Sequence, residues 1–429
     1  MSNRSAAVAV GRFAVAFLLL AGATGADWPQ FRGPDGQGHA VAHDLPDTWS
    51  ETENITWKTA ISGRGWSSPV VLGDQIWMTT ALDEGHSLHA ICVDRKSGQI
   101  VHNVEVFQVE APPTINEKNS YASPTSVIEP GRIYVHFGTL GTACLDSQSG
   151  RIVWTNRDLR LEHKEGPGSS PIVCRDFLIV NCDGMDVQYV VALDKKTGKI
   201  VWKTDRPGPL PENKDFRKAY ATPLVIDLQG REQLVSTGAH QVLGYDPATG
   251  AQLWRVPYEG FSNVPRPLFD GELLYICTGY MKPQLWALRP LADGTFAESE
   301  IAWKMTKQVP ANSTPIIVGE RIFMVSDQGV ATCLDKRTGS EIWKERLGGS
   351  YSASPVFGDG KLYFSSEEGV TTVLAPRDQF ESLSKNQLEG SIMGSPAICD
   401  TAIFLRTDQH LYRIERGQPR TAQRAAARD

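Results

Sequence analysis

The sequence lacks the features that mark several large classes of protein. It contains no motif for a serine-hydrolase elbow, a phosphate-binding loop or a zinc-protease helix. Beyond the N-terminal residues, no apolar run approaches the ~18 residues that a membrane-spanning helix needs. The formal net charge is −6, with basic residues concentrated only near the C-terminus, so binding to nucleic acid is not expected.

Long stretches with helical periodicity are also missing. The 39 glycines, 26 prolines and 41% apolar content instead suit many short strands joined by turns. The composition therefore favours an all-β fold.

The first 26 residues resemble a secretory signal peptide in composition. Arg4 and Arg12 precede or flank an apolar run from Phe13 to Leu20, and small residues follow. We expect cleavage within residues 23–27 and export to the periplasm or the extracellular space. No cysteine stands between the apolar run and Cys92, so a lipid-anchored N-terminus is not expected.

A repeated phrase is the main positive signal. Its clearest copy, Ala-x-Asp-x-x-Thr-Gly-x-x-x-Trp, spans residues 192–202. Degenerate copies lie at 94–102, 146–154, 246–254 and 335–343, and the first of these has His102 in place of the tryptophan. Repetition on this scale predicts an array of similar structural units.

A second marker lies between these phrases: one residue, usually Ser or Thr, then proline, then an apolar stretch. It occurs at Ser68-Pro69, Ser123-Pro124, Ser170-Pro171, Thr222-Pro223, Arg266-Pro267, Thr314-Pro315, Ser354-Pro355 and Ser395-Pro396. The mean spacing is about 47 residues, and four-stranded propeller blades repeat every ~40–50 residues. The pattern predicts an eight-bladed β-propeller of four-stranded antiparallel blades.

The repeated phrase is expected to lie at the turn between the third and fourth strands of a blade. Asp194 and Thr197 should hydrogen-bond the backbone of the turn, and Gly198 should supply its positive φ. Trp202 should fill the space between neighbouring blades, with its indole N–H bonded to one acceptor. We therefore predict structural roles for all four residues.

The two ends of the chain are predicted to share one blade. The last unit runs from Pro396 through Leu411 to Ile414 and ends before a fourth strand. Residues 54–60, which include Trp57, precede the first unit and need a partner. Pairing these segments would close the ring and leave no open sheet edge.

The seven cysteines are not arranged as a disulfide framework. Cys92, Cys144 and Cys333 each stand two residues before a turn aspartate, in different units. Equivalent positions in separate blades are held apart, so we expect most cysteines to be buried and unpaired. One hidden disulfide remains the alternative.

The phrase at 192–202 resembles the tryptophan-docking motif of the quinoprotein-type repeat. This repeat is shared by pyrroloquinoline-quinone (PQQ) dehydrogenases and by PQQ-like propellers that bind no quinone, and the resemblance covers nearly all of residues 50–416. Residues 27–34 and 119–124 also resemble exported PQQ-like propellers of planctomycete-type bacteria. The implied fold is similar to that of the propeller lipoprotein of the outer-membrane β-barrel assembly complex.

For an enzyme, the resemblance implies PQQ, an aspartate base, a Ca²⁺ held by acidic and amide side chains, and often a disulfide between adjacent cysteines. No two cysteines are adjacent here, and no local motif places the base or the Ca²⁺ ligands on particular residues. We therefore assign no catalytic or metal-binding residue and expect no cofactor, with PQQ and Ca²⁺ as the alternative.

Candidate site residues lie on the loops that enter the first strand of each blade. The longest of these loops, 103–123, 155–170 and 203–222, are consecutive, and long loops on a rigid scaffold often carry function. Repeat symmetry predicts a ring at the channel mouth, formed three residues before the prolines by Trp66, Tyr121, Tyr220 and Asn312, with Tyr351 one residue further upstream. Charged and amide residues within six residues before the prolines accompany this ring, and the predicted collar adds Arg64, Asn119, Lys218 and Arg266 to it.

An aromatic and cationic collar would suit an anionic planar or sugar-like ligand, or an acidic stretch of a partner protein. In the alternative interpretation, the aromatic side chains simply plug the channel and the charges remain solvated. A similar choice applies to Trp28, Phe31 and Arg32 near the N-terminus. Anchoring against the propeller is favoured over presentation to a partner, because an exposed Trp and Phe would be a liability.

The predicted organisation is a signal peptide (1–26), an N-terminal arm (27–49), a propeller (50–416) and a basic tail (417–429). The favoured function is a monomeric, non-catalytic binding or assembly scaffold that holds an envelope protein or a small ligand at the channel mouth. The alternative is an alcohol or sugar dehydrogenase that depends on PQQ and Ca²⁺.

Overall fold

The computed structural model describes residues 27–417. The predicted signal peptide and residues 418–429 of the predicted tail lie outside this range. Within it, 32 strands form eight four-stranded antiparallel sheets. Helical structure in the same range consists of 3₁₀ turns at Asp83–Gly85, Gly138–Leu140, Lys214–Phe216 and Glu298–Glu300. The predicted eight-bladed, all-β propeller is confirmed.

The strands are numbered in chain order, and β1 (Ile55–Ala60) belongs to blade 8. Blade 1 contains β2 (Val70–Leu72), β3 (Gln75–Leu82), β4 (Ser87–Asp94) and β5 (Ile100–Gln108). Blade 2 contains β6 (Val127–Glu129), β7 (Arg132–His136), β8 (Thr142–Asp146) and β9 (Ile152–Asn156). Blade 3 contains β10 (Ile172–Cys174), β11 (Phe177–Asp183), β12 (Gln188–Asp194) and β13 (Ile200–Asp205). Blade 4 contains β14 (Leu224–Leu228), β15 (Arg231–Gly238), β16 (Gln241–Tyr245) and β17 (Gln252–Pro257).

The second half of the ring repeats this plan. Blade 5 contains β18 (Leu268–Phe269), β19 (Leu274–Cys277), β20 (Leu285–Leu288) and β21 (Ile301–Met305). Blade 6 contains β22 (Ile316–Val318), β23 (Arg321–Val325), β24 (Val330–Asp335) and β25 (Glu341–Arg346). Blade 7 contains β26 (Val356–Gly358), β27 (Lys361–Ser365), β28 (Val370–Leu374) and β29 (Ser382–Gln387). Blade 8 contains β30 (Ala397–Cys399), β31 (Ala402–Arg406), β32 (His410–Glu415) and β1.

Blade 8 closes the ring as predicted. Strand β1 pairs antiparallel with β32, with Trp57 opposite Arg413 and Thr59 opposite Leu411. This pairing covers the edge that β32 would otherwise expose, which is how closed propellers avoid edge-to-edge association.

The repeated phrase lies at the contact between neighbouring blades. In blade 3, the Asp194 carboxylate accepts hydrogen bonds from the Thr197 amide and hydroxyl, both at 2.8 Å. These bonds lower the pKa of Asp194. Gly198 has a φ of +72°, and a β carbon there would lie 2.4 Å from the Trp154 ring of blade 2. Only glycine therefore fits both the turn and the docked tryptophan.

Five docked indoles donate to a turn carbonyl of the following blade. Trp154 donates to Lys195 O at 3.0 Å, and Trp202 donates to Pro247 O at 3.2 Å. Blade 5 lacks the phrase, and Trp254 in blade 4 donates instead to Gln233 within its own blade, at 2.7 Å. The structural roles predicted for the phrase follow from these contacts.

All seven cysteines are buried and unpaired. Burial raises the pKa of the Cys92 thiol to about 12, which keeps it protonated and unreactive at neutral pH. The favoured expectation of buried, unpaired cysteines is confirmed.

The marker predicted for blade 2 is wrong by two residues. The Ser68 amide donates to the Thr125 hydroxyl, and the Thr125 amide donates to the Ser170 hydroxyl, at 2.9 Å in both cases. Thr125 is therefore the equivalent of Ser68 and Ser170, and Ser126 stands where the other blades have proline. The Ser123-Pro124 pair imitates the marker slightly upstream of the true position.

The hydrophobic core is divided among the interfaces between blades. One cluster packs Trp77 and Leu88 of blade 1 against Ile133 and Val135 of blade 2, all of them fully buried. Among residues 27–417, no helix has the length and apolar character needed to cross a bilayer.

Candidate functional site: an axial cavity with one open mouth

The N-terminal arm lies across one end of the axial channel, which we call the floor. Trp28 pairs with Val71 of blade 1, His39 forms a bridge with Phe357 of blade 7, and Ala42 forms a bridge with residue 400 of blade 8. Trp28 is 1% exposed. The arm is thus anchored on the propeller, which was the favoured expectation.

Arg32 ties the arm to blades 6 and 7. Its guanidinium is buried and donates to Pro315 O at 2.9 Å, to Pro355 O at 3.1 Å and to Gln37 O at 2.8 Å. Burial lowers the pKa of Arg32 to about 9, and the nearby Arg266 charge adds to this effect.

Arg266 performs the same task from blade 5, so its predicted place in the collar is wrong. Its side chain donates to Phe31 O at 2.8 Å, to Gly36 O at 3.3 Å and to Pro223 O at 3.1 Å. Burial lowers the pKa of Arg266 to about 10. The guanidinium points toward the arm because carbonyl acceptors are available there and a solvated partner is not.

A cavity of about 850 Å³ extends from the arm to the opposite face, which we call the mouth. Phe31 of the arm lines it at the floor end. Its walls carry side chains from two positions in the repeat, all eight at the upper position and six of eight at the lower one. They come together because the eight first strands enter side by side around the axis.

The upper ring contains the residue three positions before the proline, or before Ser126 in blade 2. Its members are Trp66, Ser123, Gly168, Tyr220, Val264, Asn312, Ser352 and Met393, and all eight line the cavity. The rule used to predict a ring from repeat symmetry is therefore correct once the blade 2 position is corrected.

The lower ring contains the residue immediately before the proline, and we call it the hydroxyl ring. Its members are Ser68, Thr125, Ser170, Thr222, Thr314, Ser354 and Ser395, with Arg266 at the eighth position. Each member's hydroxyl accepts a hydrogen bond of 2.9–3.0 Å from the backbone amide of the equivalent residue in the preceding blade. These seven bonds run around the axis with one gap, after Thr222, because Arg266 has no hydroxyl.

The structure brings together four of the nine predicted collar residues in the wall of the cavity. They are Trp66, Asn119, Tyr220 and Asn312. The Trp66 indole donates to Lys118 O at 3.0 Å, and Asn119 donates to Glu165 O at 2.7 Å. Both bonds fix long mouth loops in place.

Tyr121 and Tyr351 are not part of the cavity wall. Tyr121 was counted from the wrong proline, and its hydroxyl donates to Pro113 O at 2.7 Å within its own loop. Tyr351 stands four residues before Pro355 and is 1% exposed. Neighbouring residues in an extended chain point in opposite directions, so this one-residue offset turns Tyr351 into the protein.

Lys218 and Arg64 also lie outside the cavity wall. Lys218 is buried and pairs with Glu165 at 3.1 Å and Asp215 at 3.6 Å. The Arg64 guanidinium stacks over Trp66, 5.2 Å from the ring centre, and lines a shallow depression beside the mouth.

Sequence reasoning missed several residues of the cavity. The Ser and Thr residues of the hydroxyl ring served in the sequence analysis only as markers of each blade. Their common position before the proline also indicates that they lie together around the axis. No sequence pattern indicated Asp327, because it lies in the turn after β23 of blade 6 and not in a loop that enters a first strand. It accepts from Asn312 Nδ2 at 2.8 Å and from the Ala311 amide at 3.0 Å, and burial raises its pKa.

The mouth carries an exposed aromatic patch beside the cavity. The Phe216 and Phe261 rings are 4.6 Å apart, and Tyr280 packs edge-on against Phe261. Tyr280 is 58% exposed and Met281 is 68% exposed. Tyr280 also lines the cavity, so the patch and the cavity form one continuous surface.

The cavity does not match the donor set that the sequence resemblance implies for PQQ and Ca²⁺. Its carboxylates, Glu165 and Asp327, come from blades 3 and 6, and Asp327 is already bonded by the Asn312 amide. Across residues 27–417, no three His, Cys, Asp or Glu side chains are grouped so that they could hold a metal ion. We therefore assign no chemical step to a quinone.

The sequence matches the model of the family described as outer membrane protein assembly factor BamB, over residues 90–345 and 186–424. A relative of that description from Shewanella oneidensis is 21% identical over 306 residues, covering 65% of this chain and 70% of the relative. A second, from Marinobacter adhaerens, is 25% identical over 95 residues, 22% of this chain. The chain spans only about a quarter, 24%, of the length of that second relative.

Solved structures share the fold. BamB from Moraxella catarrhalis has a TM-score of 0.60 at 14% identity, covering 84% of this chain and 99% of that one. A europium-containing methanol dehydrogenase has a TM-score of 0.56 at 13% identity, covering 90% of each chain. Identities this low establish the shared propeller architecture alone, because the same architecture supports both a named assembly factor and an enzyme.

Proposed function

We propose, on the premise that this chain belongs to the family of outer membrane protein assembly factor BamB, that it is an exported, non-catalytic assembly scaffold. It docks an envelope protein on the mouth face of the propeller. The relatives are named as assembly factors, and a scaffold needs a rigid body with one accessible recognition surface.

The observation that carries this proposal is the exposed aromatic patch of Phe216, Phe261, Tyr280 and Met281. Large apolar side chains grouped on a surface mark sites of protein interaction more often than isolated ones do. Tyr280 and Met281 stand at the tip of the β19–β20 turn, where little of either side chain is covered. The patch lies on the mouth face, whereas the arm occupies the floor.

Two lysines lie on the blade 5 side of this patch. Lys282 and Lys307 are exposed, and neither forms an ion pair with any residue described between 27 and 417. The partner surface that fits is therefore apolar with acidic residues at its edge, since complementary charge at the rim speeds encounter and fixes orientation.

A photo-crosslinking experiment tests the docking face. A photoreactive phenylalanine analogue at position 280 or 216 should give one discrete crosslinked partner in cells that express the full chain. The matched control places the same analogue at Val201, which is 50% exposed on outer strand β13, away from the mouth. Equal crosslinking from position 201, or no adduct from 280 and 216, would refute the assignment.

The dehydrogenase alternative receives a separate test. Addition of PQQ and Ca²⁺ to the purified protein should give no saturable quinone binding and no alcohol- or sugar-dependent dye reduction. Dye reduction that saturates with substrate would replace the scaffold proposal with an enzymatic one.

A further inference from the structure

The hydroxyl ring presents donors that the protein does not use. Ser68, Thr125, Ser170, Thr222, Ser354 and Ser395 line the cavity, and each is at least 96% buried. Each oxygen accepts a backbone hydrogen bond, but none of the six hydroxyls donates to any acceptor within residues 27–417. A hydroxyl group can donate one hydrogen bond in addition to those that it accepts. Six unused donors thus surround the lower part of one cavity.

Buried positive charge lies directly beside this ring. The Arg32 guanidinium donates to the carbonyl of Pro355, the residue after Ser354. The Arg266 guanidinium donates to the carbonyl of Pro223, the residue after Thr222. Both arginines thus sit one residue below ring hydroxyls, toward the floor.

A third buried arginine lies beside the ring at blades 8 and 1, on the mouth side of the ring hydroxyls. Arg406 is 3% exposed, and it donates to Ser67 Oγ and to Thr79 O, both at 2.8 Å. Ser67 precedes the ring residue Ser68. Backbone carbonyls and hydroxyls accept from the Nη atoms of Arg32 and Arg406, whereas the Nε atoms of both are buried without a hydrogen-bond partner among residues 27–417. These neutral acceptors leave the charge of all three guanidinium groups uncompensated.

No carboxylate within residues 27–417 lies within 4 Å of a nitrogen of these three arginines. Asp35, on the arm, acts on Arg32 and Arg266 only at longer range, and half of its side chain is exposed. The carboxylates that do line the cavity, Glu165 and Asp327, belong to mouth loops. The lower cavity is therefore rich in donors and positive potential, and poor in acceptors.

We propose that the six cavity-lining hydroxyls of the ring, which exclude Thr314, form a binding site for an oxyanion: a phosphate, sulfate or carboxylate group, free or carried by a small sugar. Neighbouring ring hydroxyls donate to the anion oxygens. Arg32 and Arg266 stabilise its charge from the floor side, and Arg406 stabilises it from the mouth side. The anion enters through the mouth, because the arm covers the floor. This site differs from the proposed docking patch and does not depend on a partner.

Calorimetric titration of the full chain with inorganic phosphate, sulfate, glucose 1-phosphate and glucuronate tests the proposal. We expect saturable binding with one site per chain for at least one of the four. Tighter binding of glucose 1-phosphate or glucuronate than of the inorganic ions would identify a sugar-borne anion, and the reverse order a free ion. Absence of saturable binding for all four would overturn the proposal.

Three isosteric variants locate the site. Thr125→Val and Thr222→Val each remove one ring hydroxyl that lines the cavity, and each should weaken binding at least about fivefold. Thr314→Val is the matched control, because its hydroxyl accepts the same kind of inter-blade bond, from Arg266 N at 3.0 Å, but does not line the cavity. Its affinity should stay within about twofold of that of the unmodified chain.

Thermal unfolding of each variant without anion separates folding from binding. All three lose the same inter-blade hydrogen bond, so all three should show a similar drop in Tm. Equal loss of affinity in Thr314→Val, or unchanged affinity in Thr125→Val and Thr222→Val, would place any bound anion outside the ring and overturn the proposal.

Discussion

The two ends of the axial channel are built on opposite principles. The floor is covered by the arm, and its contacts are buried: Trp28 is 1% exposed, and Arg32 donates three hydrogen bonds to backbone carbonyls. The mouth is open, and its loops are held by contacts that water can reach, such as the Lys118–Glu367 ion pair at 2.7 Å. Lys118 is 49% exposed.

This difference teaches which end is available for recognition. A buried guanidinium that loses its acceptors leaves an unpaired charge in a dry site, which costs several kcal/mol. An exposed ion pair contributes about 1 kcal/mol or less. Ligands and partners can therefore compete with the contacts of the mouth, whereas the contacts of the floor keep the cavity closed on that side.

Removal of the arm is the strongest test of this comparison. A chain that begins at residue 50 retains β1 and the closed ring but loses the buried Trp28, Leu45 and Trp49 and the bonds of Arg32. Each large buried side chain contributes about 1.5–3 kcal/mol, so we expect destabilisation by several kcal/mol in thermal or urea unfolding.

The control for this deletion is a chain that begins at Asp27, which should unfold like the full chain. Equal stability of the chains that begin at 27 and 50 would show that the floor is held no more firmly than the mouth, and the comparison would fail.

A second test uses pH and acts on the mouth side. His136, at the end of β7, and His163, in the loop before β10, are close together, and the ring nitrogen of His163 accepts from the Thr139 amide at 3.3 Å. Burial lowers the pKa of His136 to about 3, with a smaller contribution from His163. It also lowers the pKa of His163 to about 4.

The direction in which stability changes with pH follows from the difference in proton binding between the folded and unfolded chains. An unfolded histidine titrates near pH 6.5, so below that pH the unfolded chain binds protons that the folded chain does not. Stability is therefore fully present above about pH 6.5 and falls as the pH drops toward 4. At pH 5 each histidine should lower the free energy of unfolding by about 2 kcal/mol.

Urea unfolding at pH 7.5 and pH 5 measures this loss. His163→Gln should reduce the difference in the free energy of unfolding between the two pH values. A pH dependence that persists in full in His163→Gln would assign it to other groups.

The sequence predicts the fold far better than the site, for a reason visible in particular residues. Trp202, Gly198 and Thr197 form a local pattern that recurs along the chain, so one deviating copy, such as the one that ends at Trp254, does not change the predicted fold. The set of side chains in the cavity wall depends on the exact register of each unit. The false marker at Pro124 placed the predicted ring position of blade 2 at Tyr121, two residues before the observed one at Ser123. Tyr351 stands one residue before the ring position of blade 7. Arg266 stands at a ring position of its repeat, but its side chain donates to carbonyl groups of the N-terminal arm. The arm has no counterpart in the repeats, so the repeat pattern could not predict this contact.

The smallest expected effect concerns the mouth itself. Lys118 lies in the loop that enters blade 2, whereas Glu367 lies in blade 7, so their ion pair crosses the mouth above blades 8 and 1. Glu367 also accepts from the Ser352 hydroxyl at 2.6 Å. Glu367→Gln removes the charge but retains a hydrogen-bonding side chain, so the free energy of unfolding should change by less than about 1 kcal/mol.

Local opening should nevertheless increase. Amide hydrogen exchange in residues 109–123 should become faster in Glu367→Gln, because exchange reports the opening of a segment even when global stability is unchanged. Glu341→Gln, which removes the exposed pair with Lys344 on β25, is the matched control and should leave exchange in this loop unaltered. If Glu367→Gln also leaves the loop unaltered, the pair does not restrain the mouth, and access to the cavity depends instead on the uncharged contacts of the loop, beginning with the Trp66 indole bond to Lys118 O.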